Sequence, residues 1–276
     1  MASVIRKLLA TESAWNPKVM AGRIATRVLP EKAIHNLKKH YYAYLLTHMP
    51  KDWVERDAQV LHQFVSPHDN VVDIGANLGV FSRYLAALVG NEGQVYAFEP
   101  IPQTFEFLAH NVKKLRLTQV KPLPFALSDS CRSDTMVIPT YRWGSECWYD
   151  ACIKTADTKA GLRELRIESR TLDSFNLPRI SFIKCDTNGH ELATLKGAWE
   201  TIRRDHPVML IEVNPDPDDV STTAYETFSL LVSEGYTAHV LRDGQMLSRQ
   251  PGERSQNYFF LPNRSSQSSP LPTTML

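Results

Sequence analysis

Between residues 52 and 234 the sequence alternates five times between two patterns: stretches whose apolar residues return every three or four positions, and short, almost wholly apolar runs. The first pattern builds helices with one apolar side, and the second builds strands buried on both faces. Val54, Ala58, Leu61 and Val65 mark a helix over 52–66, and "VVDI" at 71–74 is the first strand. Val80, Tyr84, Ala87 and Leu88 give a helix closed by Gly90, and "QVYAF" at 94–98 follows. Pro102 opens a helix carrying Phe105, Leu108, Val112 and Leu115, and a third strand lies near 120–127. "SFIKC" at 181–185 leads into a helix over 190–204, and "VMLIEV" at 208–213 into one over 222–234. Such alternation predicts an α/β fold with a mostly parallel, doubly wound sheet. "TAHVLR" and "NYFFL", set around Asp243-Gly244, add an antiparallel pair, so seven strands are expected, the last antiparallel.

In such a sheet the ligand lies at the carboxyl ends of the strands, where their order reverses. Those ends carry acids: Asp73 after the first strand, Glu99 after the second, Ser128-Asp129 after the third, Asp186 to Glu191 after the fourth and Glu212 after the fifth. The first turn, Gly75-Ala76-Asn77-Leu78-Gly79, resembles a dinucleotide fingerprint but puts Asn77 where the middle glycine would admit a pyrophosphate. Asp73 would repel a phosphate, and no lysine-serine or lysine-threonine pair follows the turn. Glu99, however, lies 20 residues beyond Gly79, where a carboxylate can accept both hydroxyls of a ribose. S-adenosylmethionine (SAM) meets these demands: it has a ribose, an ammonium and a sulfonium, and no phosphate.

The motifs "VVDIGANLGVFSRYL", "VYAFEP", "FALSD", "TLDSF", "ISFIKCDTNGHELATLKGA" and "PVMLIEVN", in this order across residues 52–262, resemble the FkbM family of SAM-dependent methyltransferases. The resemblance implies a class I, Rossmann-like methyltransferase fold and O-methylation of a hydroxyl on a sugar, lipid or secondary metabolite. It implies that Asp73, Gly75, Asn77 and Gly79 surround the methionine part of SAM, that Glu99 holds the ribose, and that Ser128 and Asp129 lie near the adenine. One departure stands out. The family's fourth-strand motif reads Asp-x-Glu-Gly-x-Glu, whereas this chain has Asp186-Thr187-Asn188-Gly189-His190-Glu191. Asn188 keeps an acceptor oxygen for a substrate but cannot act as a base. Asp186 and His190 remain as candidate bases, Asp186 first because it stands at the strand's end. Each has a plainer reading: His190 as a residue of the helix start, Glu191 as a complement to the helix dipole, Glu212 as a group that orients others. Two other activities stay open. A divalent-metal-assisted O-methyltransferase is faintly echoed by Asp186, Glu212 and Asn214, and Asn188 suggests a catalytically weak SAM-binding protein.

Charge and cysteines bound the partners. The net charge of +1 argues against a nucleic-acid binder driven by bulk electrostatics. Residues 1–50 nevertheless hold eight Lys or Arg against two Glu. This basic helical extension, broken at Pro17 and Pro30, either caps the cleft, meets a second subunit or touches an anionic membrane through Arg6, Lys7, Lys18, Arg23 and Arg27, or is simply a solvated helical face, the commoner outcome for such charge. Cys131, Cys147, Cys152 and Cys185 show no CxxC pair, which favours reduced thiols, no resident metal and a cytoplasmic setting. The aromatic stretch "YRWGSECWYD" at 141–150 is either a platform for a flat substrate or a buried satellite cluster. The catalytic domain is placed at 51–262, and 263–276 is a Ser/Pro-rich tail expected to be disordered.

Overall fold

The computed structural model describes residues 30–49, 56–139, 148–155, 158 and 162–263. Its strands are β1 (Asn70–Ile74), β2 (Gln94–Phe98), β3 (Val120–Leu123), β4 (Ala126–Leu127), β5 (Arg132–Ile138), β6 (Cys152–Ile153), β7 (Arg163–Arg170), β8 (Phe182–Cys185), β9 (Val208–Glu212), β10 (Tyr236–Arg242), β11 (Gln245–Ser248) and β12 (Asn257–Pro262). Its α-helices are α1 (Glu31–His48), α2 (Val80–Val89), α3 (Pro102–Lys114), α4 (Glu191–Lys196), α5 (Trp199–Asp205) and α6 (Thr223–Ser233).

The main sheet runs β11-β10-β12-β9-β8-β1-β2-β3. Its centre, from β9 to β3, is parallel throughout. The order reverses between β1 and β8, and β1 pairs in parallel with β2 and with β8: Val72 lies opposite Tyr96 on one side and Ile183 on the other. Successive residues of each strand feed opposite cores. Val72, Tyr96, Ile183 and Met209 pack toward α4, α5 and α6. Val71, Val95, Phe182 and Leu210 pack toward α2, α3 and the 3-10 helix at Arg56–Gln63. The doubly wound α/β arrangement expected from the alternation is thus present, with helices on both faces.

Four details differ from the sequence reading. The main sheet has eight strands, because Asp243-Gly244 turns β10 directly into β11, an edge strand with mostly exposed side chains that does not read as apolar. The stretch 120–127 is two strands: "KPLP" carries two prolines, which cannot donate to a ladder, and the chain leaves the main sheet there. The helix over 190–204 is two, broken at Gly197, where a Cβ would lie 1.9 Å from the Ser128 carbonyl oxygen. The segment after the third strand builds a second sheet, β4-β7-β5-β6, inserted between β3 and β8. Its longest strand, "RELRIESR", is half exposed and mostly charged, so no apolar run announces it.

At the amino end, Pro30 precedes an 18-residue helix, longer than the short pieces expected. α1 lies against α3, with the His35 ring stacked on Phe107 at 4.8 Å, Tyr42 edge-on to the same ring at 5.2 Å, and His35 Nε2 2.8 Å from Glu106 Oε2. Its outer side exposes Leu37, Tyr41 and Tyr44. Arg6, Lys7, Lys18, Arg23 and Arg27, Val54, residues 141–147 of the aromatic stretch and the tail from 264 lie outside the described residues. Among the described residues no helix is long and apolar enough to cross a membrane.

Candidate active site

The carboxyl ends of β1, β2, β8 and β9 face one cavity, whose far wall is the inserted sheet. The β1 end approaches it through a turn that only a small residue permits. Gly75 has φ +75°, and a Cβ there would lie 2.0 Å from the Asp186 carbonyl oxygen at the end of β8. Asn77 and Gly79 also sit in the left-handed region, at φ +53° and +87°, and Gly79 starts α2. Across from this turn, Glu99 is 4% exposed and spans the gap between two strand ends. Its Oε2 accepts the Asn77 N–H and its Oε1 the Ile101 N–H, each at 3.0 Å. Burial pushes its pKa up to about 7, although those two N–H groups act in the opposite direction. Asn77 Oδ1 is buried, has no hydrogen-bond partner among the described residues, and belongs to a residue that lines the cavity.

Under the cavity floor is a charge cluster. Asp73 is fully buried; its Oδ2 accepts the Ser82 hydroxyl at 2.6 Å, while Oδ1 has no hydrogen-bond partner and stands 3.9 Å from Lys184 Nζ. The Lys184 ammonium donates to Asp186 Oδ2 at 3.3 Å and sits 4.9 Å from the centre of the Phe81 ring. Burial disfavours this ammonium, yet Asp186, Asp73 and Glu212 together outweigh it and hold the Lys184 pKa above its ordinary value. Burial raises the Asp73 pKa, partly offset by Lys184 and Ser82. Burial, and then the nearby Asp186 charge, raise that of Glu212, which is joined to Asn214 Nδ2 at 3.4 Å.

The β8–α4 turn closes the site. Glu191 Oε1 accepts the Thr187 N–H and hydroxyl, each at 3.1 Å, and the Gly189 N–H at 3.0 Å. It therefore staples the turn, a more specific task than complementing a dipole. Asn188, at φ +52°, donates through Nδ2 to the Ala151 carbonyl at 3.0 Å. His190 Nε2 lies 2.9 Å from Ser128 Oγ, which also takes a bond from Arg132, and burial lowers the imidazole's pKa. Arg132 holds Asp129 at 2.6 Å, and that hydrogen bond leads in lowering the Asp129 pKa.

Of the residues singled out in the sequence, Gly75, Asn77, Glu99, Asp186, Asn188 and His190 line the cavity. Asp73 lies beneath it, Gly79 shapes the turn behind it, and Ser128 and Asp129 do not line it: Ser128 touches the cavity-lining His190, and Asp129 is held by Ser128 and Arg132. Sequence reading passed over Lys184 and the cavity-lining Met136 and Ile153, whereas Trp148 belongs to the aromatic stretch at 141–150 that it singled out. A lysine inside the apolar run "SFIKC" was a usable signal, because a buried ammonium requires carboxylate partners. Met136 and Ile153 carried none, since their strands pair only within the insertion. Among the described residues no group of three or more His, Cys, Asp or Glu is arranged to hold a metal ion.

Comparison with known proteins agrees with these motifs. Hexuronic acid methyltransferase AglP of Haloferax volcanii is 28% identical over 155 residues, covering 55% of this chain and 60% of that protein. Methyltransferase sdnD of Sordaria araneosa is 28% identical over 166 residues, covering 48% and 63%. The chain thus spans less than two thirds of the length of these relatives. Among solved structures, a methyltransferase FkbM from Methylobacillus flagellatus KT aligns over 83% of this chain and 59% of its own, at 14% identity and a TM-score of 0.46. The model of the Methyltransferase FkbM domain matches residues 73–238, more than half of the sequence and the whole stretch from Asp73 through the inserted sheet to β10, and the chain belongs to that family of methyltransferases.

Proposed function

We propose that the protein uses SAM to methylate a hydroxyl oxygen of a sugar, lipid or secondary metabolite. The observation that carries the cofactor is Glu99. It is a buried carboxylate whose two oxygens each accept one backbone N–H and keep further acceptor capacity, at the end of β2 beside a glycine turn. Two vicinal ribose hydroxyls fit that acceptor pair. The buried Asn77 Oδ1, without a hydrogen-bond partner among the described residues, would accept from the same ligand. Asp73, Asp186 and Glu212 outnumber the single Lys184 ammonium, so this floor favours a ligand with positive charge. When bound there, SAM supplies an electrophilic methyl group on sulfonium.

The chain's own residues then have little covalent work. Asp186, at the end of β8, would orient the acceptor hydroxyl and take its proton. His190, held by Ser128 and with its pKa lowered by burial, is the second candidate. Trp148 offers a flat apolar face for a sugar ring, and its indole lies 5.3 Å from the Arg163 guanidinium. Alignment of donor and acceptor supplies the larger part of the rate, about 7–11 kcal/mol in well-oriented systems. That AglP acts on a hexuronic acid supports a sugar-type acceptor. The test is calorimetric titration with S-adenosylhomocysteine, followed by radiolabelled-methyl transfer from SAM into fractionated cell extract. Binding and a base-stable, ether-type labelled product are expected. Absence of binding overturns the cofactor assignment, and label recovered on nitrogen or carbon overturns the hydroxyl.

A further inference from the structure

The inserted sheet meets the β8–α4 turn at Asn188. The Asn188 amide donates to the Ala151 carbonyl at 3.0 Å. A carbonyl can only accept, so the group facing it must be the NH2, and a carboxylate at this position would set an acceptor against an acceptor. The backbone adds a second reason. At φ +52° the left-handed region is one that asparagine enters far more readily than glutamate does.

Ala151 is not a loose loop atom. It is 3% exposed and belongs to the insertion's own small core with Ile101, Ala126, Met136, Ile138 and Ile167, against which Trp148 and Ile153 pack. Met136, Trp148, Ala151 and Ile153 line the cavity together with Asp186, two residues before Asn188. One hydrogen bond therefore ties the insertion's apolar wall to the strand end that carries the candidate base. We propose that the Asn188 side-chain amide is a positioning residue: it latches the wall formed by Trp148, Ala151 and Ile153 across the acceptor end of the cavity, a bond that the family's glutamate cannot make. Asn188 is then not the remnant of a lost base, and restoring glutamate should harm the enzyme. The word acceptor here rests on the reading under Proposed function; the latch itself does not.

The variants are Asn188→Asp, which keeps the size and the tolerance for positive φ and replaces the NH2 donor by a charged carboxylate oxygen, Asn188→Gly, which removes donor and strain together without adding charge, and Asn188→Gln, which keeps an amide. Hydrogen exchange of the full-length protein reads the backbone amides of residues 148–155. Calorimetry reads S-adenosylhomocysteine affinity, and labelled-methyl transfer is followed against increasing amounts of an acceptor-containing extract fraction. Exchange at 148–155 should quicken about tenfold in Asn188→Asp and Asn188→Gly, the equivalent of one lost buried hydrogen bond, and less in Asn188→Gln. The half-saturating amount of extract should rise more than the plateau rate falls, with cofactor affinity within about twofold of wild type, since the Asn188 amide bonds the insertion at Ala151 whereas Glu99 is held by the Asn77 and Ile101 N–H groups. Wild-type exchange at 148–155 in Asn188→Asp would overturn the latch, as would faster methyl transfer in Asn188→Asp or Asn188→Glu. Failure of the wild type to bind S-adenosylhomocysteine would remove the cofactor reading instead, and the exchange comparison would still decide the latch.

Discussion

The two sides of the cavity are built by opposite means. At the ends of β1 and β2 the groups that matter are neighbours in sequence: Gly75, Asn77 and Gly79 share one turn, and Glu99 reaches an N–H only two residues on and another 22 residues back. At the end of β8 they are drawn from afar. Asn188 bonds a carbonyl 37 residues away, His190 a hydroxyl 62 residues away, and Lys184 stands between carboxylates of β1 and β8. A locally encoded site keeps its geometry as long as its strands pair. A site assembled across an insertion can shift its chemistry through any one of its distant partners. If the contrast is sound, substitutions on the β8 side should change rate, and those on the β1–β2 side should change folding or cofactor affinity.

The largest expected effect tests the β8 side. Asp186→Asn removes the candidate base and one of the carboxylates around Lys184, while keeping size and shape. Single-turnover transfer to a confirmed acceptor should fall about 10²- to 10⁴-fold, the contribution of a positioned base, with S-adenosylhomocysteine affinity little changed. Full activity would move the base to His190, and a parallel loss of affinity would erase the division between the two sides.

On the other side, Gly75→Ala should damage folding itself. The added Cβ meets the Asp186 carbonyl at 2.0 Å, a backbone atom that cannot swing away, and the residue keeps a φ of +75°. Left-handed strain of about 1–2 kcal/mol and overpacking of about 1–3 kcal/mol add to a loss measurable by chemical denaturation. Stability within about 0.5 kcal/mol of wild type would mean that the β1 and β8 ends are not in this close contact. A smaller loss is expected for Glu99→Ala, read as weaker S-adenosylhomocysteine binding by about 1–3 kcal/mol from ribose hydroxyls left unpaired. Unchanged affinity in a folded Glu99→Ala protein would detach Glu99 from the ligand.

The same contrast explains what the sequence disclosed. Strands buried on both faces announce themselves as "VVDI", "QVYAF" and "VMLIEV", and the turn glycines follow them directly, so the main sheet and the Glu99 side were legible. The family model agrees there, beginning at Asp73. The insertion was not legible, for physical reasons. β4 and β6 are two residues long, β7 alternates charges over a mostly exposed face, and their pairing is with one another and not with any strand that periodicity identifies. Asp186 and His190 could be named from position, but whether Asn188 faces a substrate or a carbonyl depends on where Ala151 arrives. Asp73 marks the limit even on the legible side. Its place at a strand end was evident, whereas its position below the floor, shared between Ser82 and Lys184, required the packing.

The smallest expected effect is a pH dependence that belongs to Glu99 and not to the β8 side. Burial raises its pKa from an ordinary 4.5 to about 7, so in the ligand-free protein near pH 6 the group is mostly protonated. Ribose hydroxyls can donate a pair of hydrogen bonds only to the carboxylate, so binding must release that proton. Affinity for S-adenosylhomocysteine should therefore tighten as pH rises, by up to about tenfold per unit below 7, and level off above it. Stability should run the other way. The native state holds the Glu99 proton more tightly than the unfolded chain does, so between about pH 4.5 and 7 the unfolded state binds fewer protons, and raising the pH lowers stability until 7 is passed. Melting temperature of the ligand-free protein should fall over that window with a slope that Glu99→Gln reduces, the remainder belonging to Asp73, Glu191 and Glu212, whose pKa values burial also raises. Calorimetry in buffers of different ionisation enthalpy measures the released proton directly. An affinity that is flat from pH 6 to 8, with no proton released, would show that Glu99 stays neutral on binding and serves its two backbone N–H groups instead of a ribose.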